Sequence, residues 1–452
     1  MKKLVMLSTL ACFFVITNAQ DYKKLIQTPM LLRQTVVAKT EIDKLSSDPK
    51  TQTKPETLIW KARVYAALYK DDSLRSKYPG SEVIASDAYQ KYMKAEPDMK
   101  TIKANTDLEN TVFDIYSTSF KQGIATFNLK KWDSSLYYFS NSVIYSDIIY
   151  TNKWTKDSTA SFDTTSILYA GYSAQNAKKT NEATNYYTRL IDKKVKDSSY
   201  IPLYQFVLVS YSDQKDSTKF YKYFAIAKQV FPKQNWEEYE LDFVNKAYNL
   251  NQKMAYYDKE NAAGNLNAMK YLHFGDMFVN PSKEDKASMD SISLINFRSK
   301  GRDAFKKAYE LNNQDPLAAF NIGVIYYNES NTYDDKVTAY TKELQVLNAG
   351  KPKVVDAKFK EKVDLLKKSR ANFEKPASEA ADSAVAWIER SYTILNAKEK
   401  ASRTNTEKNC YNRSVDYLAN LYGSKRDKVR GKDLKAYDAY DAKYKLYDSL
   451  HQ

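Results

Sequence analysis

The sequence predicts an all-α solenoid built from stacked helix-turn-helix repeats, and three observations predict it. A pattern of small and aromatic residues recurs: Gly323 with Tyr326, Gly275 with Phe278, and looser copies at Ala170-Gly171 to Ala174 and Val207-Leu208 to Tyr211. Each copy opens a helical segment that a second one follows, with its own small–aromatic–small spacing, as in Ser135, Phe139 and Ser142. Eleven prolines and ten glycines are few for 452 residues, which suits long helices and argues against an all-β chain. A chain that grows by stacking does not need to split into separate cores at this length. Hydrophobic residues at 43% and charged residues at 28% place it among folded rather than disordered chains.

The first 19 residues read as an export signal. Lys2 and Lys3 form a positive start, residues 4–16 an apolar run, and Thr17-Asn18-Ala19 a cleavage site that ends at Ala19 before Gln20. The run is too short to span a bilayer, and no later stretch reaches eighteen apolar residues, so a periplasmic or exported chain without a transmembrane span is expected. A lipid anchor at Cys12 is not expected, because Phe13-Phe14-Val15-Ile16 carries the apolar run past it and Thr9 stands three residues before. Loss of Cys12 leaves Cys410 alone, so packing rather than a disulfide must hold the processed chain, and Cys410 reads as a small buried helix residue. Without Lys2 and Lys3 the net charge is about +13.

The expected organisation is a signal peptide at 1–19, an N-terminal helical cap at 20–55, and four repeats over 56–235. A degenerate helix pair follows at 236–265, then repeats over 266–397 interrupted by insertions at 280–296 and 329–378, then a closing helix pair and cap at 398–452. Residues 21–45 form helix by pattern, and residues 56–69 form a second, started by Pro55 in a favourable first-turn position. Pro79-Gly80 marks a connector before a helix with Ala85, Tyr89 and Tyr92 that stops at Pro97. The second repeat has Gly123 in its first helix, Trp132 at its turn, and Ser135, Phe139 and Ser142 in its second. Helices that cross closely need small side chains where their backbones approach, and an aromatic fills the gap they frame. The third repeat carries Gly171, Ala183 and Tyr187; the fourth carries Tyr204, Val207, Leu208, Tyr211, Phe224 and Ala227 before Pro232, without the glycine. Further on, Phe274 and Gly275 answer to Gly301, Phe305 and Ala308. Asp315 caps and Pro316 starts a helix expected to run through Asn328, with Ala384, Ile388 and Ser391 on its partner. The intervening insertion is itself helical by pattern, with Phe359, Val363, Leu366 and Phe373 among many lysines. Tyr437, Tyr440, Tyr444 and Tyr447 at helical spacing mark a last capping helix.

These residues resemble the tetratricopeptide repeat, whose pattern W-x2-L-G-x2-Y, A-x3-F, P recurs at about thirty-four residues. The resemblance covers most of 56–450. It implies a right-handed superhelix with a concave groove lined mainly by the first helix of each repeat, and non-catalytic binding of peptides or proteins. Together with the signal it suggests an exported bacterial envelope member of the family. Some members hold a partner's terminal carboxylate with paired Lys, Asn and Arg; here only Lys61 corresponds, so that role is not implied.

Catalysis is not expected. The two histidines, His273 and His451, leave no zinc ligand set, and no phosphate loop, G-x-S-x-G or H-E-x-x-H occurs, so no metal or cofactor is assigned. The chain's resource is aromatic: 38 Tyr, 19 Phe and 5 Trp, most of which repeat cores would consume. By first-helix spacing, Tyr65, Tyr69, Phe120, Phe127, Tyr172, Phe320 and Tyr327 would face the groove, with Asn128, Asn176 and Asn328 at one shared offset. Asparagine can bond a peptide's N–H and C=O together and tyrosine offers flat area, so an extended peptide is the expected ligand; the competing account is that these asparagines merely end helices near a turn.

Lys425, Arg426, Lys428, Arg430 and Lys432 form a basic patch near the last turn, and a second set including Lys351, Lys353, Lys358, Lys360 and Lys362 decorates the long insertion. Such runs are solvated faces or sites for an acidic protein or anionic lipid; export makes nucleic acid a poor partner. Triplets such as Asp157-Ser158-Thr159, Asp163-Thr164-Thr165, Asp216-Ser217-Thr218 and Asp290-Ser291-Ile292 look like envelope O-glycosylation acceptors, or helix caps. The function expected is a protein-interaction scaffold of the envelope. The alternative is a glycan- or nutrient-binding helical-repeat module of an outer-membrane uptake system, a group that resembles this chain in its helices but normally carries a lipidated cysteine.

Overall fold

The computed structural model describes residues 21–155, 161–287, 289–350 and 356–451. The segment read as an export signal, with Ala19 and Gln20, lies outside these, as do Asp157-Ser158-Thr159, Lys351 and Lys353. Every regular element among the described residues is helical. The chain divides into two units, Met1–Tyr239 and Glu240–Gln452, each of which is a run of helix pairs.

In the first unit the longer helices are α1 (Thr35–Ser47), α2 (Pro55–Lys70), α3 (Ser81–Ala95), α4 (Asn110–Asn128), α5 (Trp132–Thr151), α6 (Thr164–Asn176), α7 (Thr180–Asp192), α8 (Ile201–Asp213) and α9 (Ser217–Val230). The helix expected over 21–45 is broken: Arg33 adopts a left-handed conformation (φ 58°) between a short turn of helix and α1. Tyr22 ties the entering segment to α2 through a 2.6 Å hydrogen bond between its hydroxyl and that of Thr57.

Three hairpins, α4/α5, α6/α7 and α8/α9, share one geometry because they share one turn. Each first helix is followed by a left-handed lysine: Lys130 (φ 55°), Lys178 (φ 60°) and Lys215 (φ 55°). The next amide reaches back to satisfy a carbonyl that the helix end leaves unpaired, as in Lys131 N to Thr126 O (2.9 Å), Lys179 N to Ala174 O (2.9 Å) and Asp216 N to Tyr211 O (3.1 Å). Glycine usually fills this position, and a side chain with a Cβ costs about 1 kcal/mol there, partly offset by a cation beside the helix C-terminus. Because the turn is constant, one position of the first helix meets the residue sixteen later on the second, Gly123 with Phe139 and Gly171 with Tyr187, and Leu208 and Phe224 hold the same spacing in the third hairpin. A Cβ on Gly123 would lie 2.8 Å from the Phe139 ring, and one on Gly171 2.3 Å from the Tyr187 ring. The rings therefore rest on backbone.

Successive hairpins are joined by buried hydroxyl pairs. Ser135 meets Ser173 at 2.8 Å, Ser142 meets Ser166 at 2.8 Å, and Thr184 donates to Ser210 at 2.9 Å. Small residues let the backbones approach, and pairing avoids the roughly 1–3 kcal/mol cost of an unsatisfied buried hydroxyl.

Helix α10 (Glu237–Ala247) crosses the division between the units; the second unit continues with α11 (Leu250–Ala262), α12 (Ala268–Val279), α13 (Ser291–Leu311), α14 (Pro316–Ala349), α15 (Ala357–Asn396), α16 (Asn405–Val429) and α17 (Leu434–Asp448). The glycine contact persists across longer connections: a Cβ on Gly275 would meet Phe305 at 2.6 Å, and one on Gly323 would meet Ile388 at 2.4 Å. Two expected boundaries are corrected. Helix α13 begins at Ser291, within the segment 280–296 read as an insertion. Helix α14 does not stop at Asn328 but runs to Ala349, since no Gly or Pro intervenes and the apolar seam goes on. Residues 329–349 and 357–378 are therefore the continuation of α14 and α15 into an antiparallel arm. Phe373 stacks on Tyr333 and Tyr340 (centroids 6.3 and 6.1 Å), and the Ser330 hydroxyl donates to the Ala377 carbonyl at 3.0 Å. Glu389 of α15 anchors the closing pair, accepting from Lys443 (2.9 Å), Tyr422 (2.9 Å) and Tyr447 (3.1 Å). Burial alone would raise its carboxyl pKa, but these donors outweigh burial and hold it below the usual range.

Two predictions follow from the turn and the ring contact. Gly171→Ala should lose about 1–2 kcal/mol in urea unfolding, overpacking winning over helix propensity, whereas Gly423→Ala, whose Cβ would sit 3.4 Å from the Tyr444 ring, should be neutral or gain up to about 1 kcal/mol. Lys178→Gly should raise stability by about 0.5–1 kcal/mol, read in the same unfolding curves.

Candidate functional site

The first helices of three successive pairs in the second unit, α12, α14 and α16, enclose a recess of about 350 Å³. Its floor is apolar, from Leu272, Leu317 and Phe320; its rim carries His273 and Asp276 of α12, Asn321 of α14, and Thr406, Asn409 and Arg413 of α16. Asp315 caps α14 by accepting from the amides of Leu317 (2.8 Å) and Ala318 (3.4 Å), and a reciprocal capping box between Thr404 and Glu407 starts α16, so both helices present these residues from fixed ends.

Arg413 is the distinctive group. Its guanidinium lies 5.2 Å from the centroid of Phe320 and 5.7 Å from that of Tyr417, and Nη2 donates to the Tyr417 hydroxyl at 3.0 Å. The side chain is exposed, and no carboxylate lies within ion-pair distance among the described residues. Tyr327 completes the platform, 4.6 Å from Tyr417. Cys410 lies beneath, 4% exposed and 3.5 Å from the Ser391 hydroxyl; burial pushes its thiol up to about 11. A thiol kept protonated is a poor nucleophile, whereas amides, a hydroxyl and an ordered cation over an apolar floor suit binding.

The other expected groove residues divide. Tyr65 and Tyr69 are buried and cannot face a ligand: the Tyr65 hydroxyl donates to Asp43 at 2.8 Å, and Tyr69 lies 3.4 Å from the Ser119 hydroxyl. Phe320 is likewise 4% exposed and serves only as floor. Phe120, Phe127 and Tyr172 are half-buried around Tyr169 (centroids 6.5, 5.2 and 6.5 Å), so repeat packing already holds them. Asn128, Asn176 and Asn328 are all exposed and share the offset of five from Gly123, Gly171 and Gly323, but not one environment. Asn128 and Asn176 end their helices, with Asn176 Nδ2 donating to the Tyr172 carbonyl at 2.8 Å, while Asn328 stands mid-helix.

The basic patch near the last turn is largely neutralised. Lys425 pairs with Asp382, Arg426 with Asp441 (3.1 Å), Lys428 with Asp334 (2.9 Å) and Arg430 with Asp427 (2.8 Å), and Lys432 donates to the Lys428 carbonyl at 3.2 Å. These side chains bind the molecule to itself; they are not a bare cationic face. Of the acidic triplets, Asp163, Asp216 and Asp290 cap α6, α9 and α13.

Sequence reasoning missed Arg413 and Tyr417. Their four-residue spacing puts them on one helix face, a signal available once residues 408–422 are recognised as another first helix.

No protein-family model matches the chain, and no curated protein matches it. Among solved structures, the APC/C hetero-tetramer Cut9-Hcn1 aligns over 93% of this chain and 92% of that one, at 12% identity and a TM-score of 0.20. The human IFIT1 dimer with m7Gppp-AAAA aligns over 93% of this chain and 79% of that one, at 13% identity and a TM-score of 0.19. Alignments at these scores carry no argument; the all-α repeat architecture rests on the hairpin geometry itself. A thiol reagent should leave Cys410 unmodified in the native protein at neutral pH and label it once urea unfolds the chain, as followed by mass spectrometry.

Proposed function

We propose that this chain is a non-catalytic scaffold of the tetratricopeptide type, exported to a bacterial envelope, that holds an extended segment of a partner protein along the first-helix face of its repeats. The observation that carries the reading is the recess between α12, α14 and α16, where Arg413 is already held against the Phe320 and Tyr417 rings without a carboxylate among the described residues to neutralise it. An arginine ordered before binding loses little side-chain entropy on engagement, and arginine beside tyrosine is the usual composition of an interface hot spot. Asn321 and Asn409 can each satisfy a peptide N–H and C=O, which grips backbone with little regard to sequence. The apolar floor takes one aliphatic or aromatic side chain.

The test is selection of peptides from a displayed library on the purified chain, followed by affinity measurement. Arg413→Ala should weaken the selected peptides by about tenfold or more without changing the melting temperature, since the side chain is exposed. Selection of no peptide, or affinity indifferent to Arg413→Ala, would overturn the reading; a glycan bound in its place would favour the nutrient-uptake alternative.

A further inference from the structure

We infer that the free end of the α14/α15 arm is a docking surface for an anionic lipid membrane. The arm is held at its base, where Lys428 pairs with Asp334, and zipped by the Tyr333, Tyr340 and Phe373 rings. Leu344 is the last buried residue of α14, and no described residue from 345 to 368 is buried. That bare end carries more lysines than carboxylates. Lys358, Lys360, Lys362, Lys367 and Lys368 are exposed, and none has a carboxylate within ion-pair distance among the described residues, in contrast to the paired lysines at 425 and 428. They outnumber the interleaved Glu343, Asp356, Glu361 and Asp364. Among them stand two aliphatic side chains that the seam does not use: Val346 is 74% exposed and Leu365 63% exposed.

Lysines interleaved with exposed aliphatics suit the headgroup level of a bilayer, where each cation near an anionic surface contributes about 1 kcal/mol and the apolar groups enter the acyl boundary. Lipid is favoured over an acidic protein for two reasons. Lysine is a geometry-free point charge matched to a diffuse field, while recognition of fixed carboxylates relies on bidentate arginine. The end also lacks the exposed Trp, Tyr or Arg that anchor protein interfaces.

The experiment is co-flotation of the processed chain with vesicles of phosphatidylcholine alone or of equal parts phosphatidylcholine and phosphatidylglycerol. Partition into the anionic vesicles only is expected, weakened by about 0.5 M salt. A triple variant, Lys358→Glu with Lys362→Glu and Lys367→Glu, should partition at least about tenfold less. A second variant, Val346→Asp with Leu365→Asp, should also lose partition; all five positions are exposed, so circular dichroism should be unchanged. Failure to float, equal flotation with phosphatidylcholine alone, or full flotation of both variants would overturn the inference. So would displacement by polyglutamate as complete as by fresh anionic vesicles, which would assign the arm to an acidic protein.

Discussion

The contact of an aromatic ring with a neighbouring helix's bare backbone governs this structure. At Gly123, Gly171 and Gly275 the ring of Phe139, Tyr187 or Phe305 occupies the space a Cβ would take, so the two helices of a hairpin close to a distance that no other residue permits. At Gly123 and Gly171 the register of that contact is set by the turn, where a left-handed lysine ends one helix and its successor starts the next. Chain economy, ring position and helix separation are thereby one constraint. Gly123, Gly171, Gly275, Gly301 and Gly323 all stand where a Cβ would clash, and in three hairpins lysine takes the turn where glycine is customary.

The same constraint sorts the aromatic residues. Second-helix rings are consumed by the glycine contact, and rings on the facing first helices are consumed by the next hairpin, as Tyr169 shows by collecting Phe120, Phe127 and Phe139. What remains for a ligand is polar or cationic and sits one helical step away. The recess in the second unit follows this division, with Phe320 and Tyr417 supporting Arg413.

Much of the fold was legible because glycine, aromatic and small residues recur at spacings that only paired helices explain. Ser135 and Ser142 were recognisable as close-approach positions, though their hydroxyl pairing with Ser173 and Ser166 needed the neighbouring hairpin to be placed. The break at Arg33 and the left-handed lysines were not legible, since nothing in a lysine announces a positive φ. Asn328 misled because asparagine favours helix ends, while the seam through Tyr333, Tyr340 and Leu344 lies beyond the repeat and overrides that preference. Spacing alone also could not separate Tyr65 and Tyr69, which are buried, from Tyr327, which stands beside the recess. The paired state of Lys425 and Lys428 depends on Asp382 and Asp334, residues far away in the chain, and so lay beyond any local pattern.

Helix α14 contributes Phe320 and Asn321 near one end and Val346 near the other, within 34 unbroken residues, a span of about 51 Å. It has no internal proline, whereas its partner α15 contains Pro376. One continuous helix thus links the distal end of the arm to the floor of the recess, and the close approach of Ile388 at Gly323 pins it beside that floor.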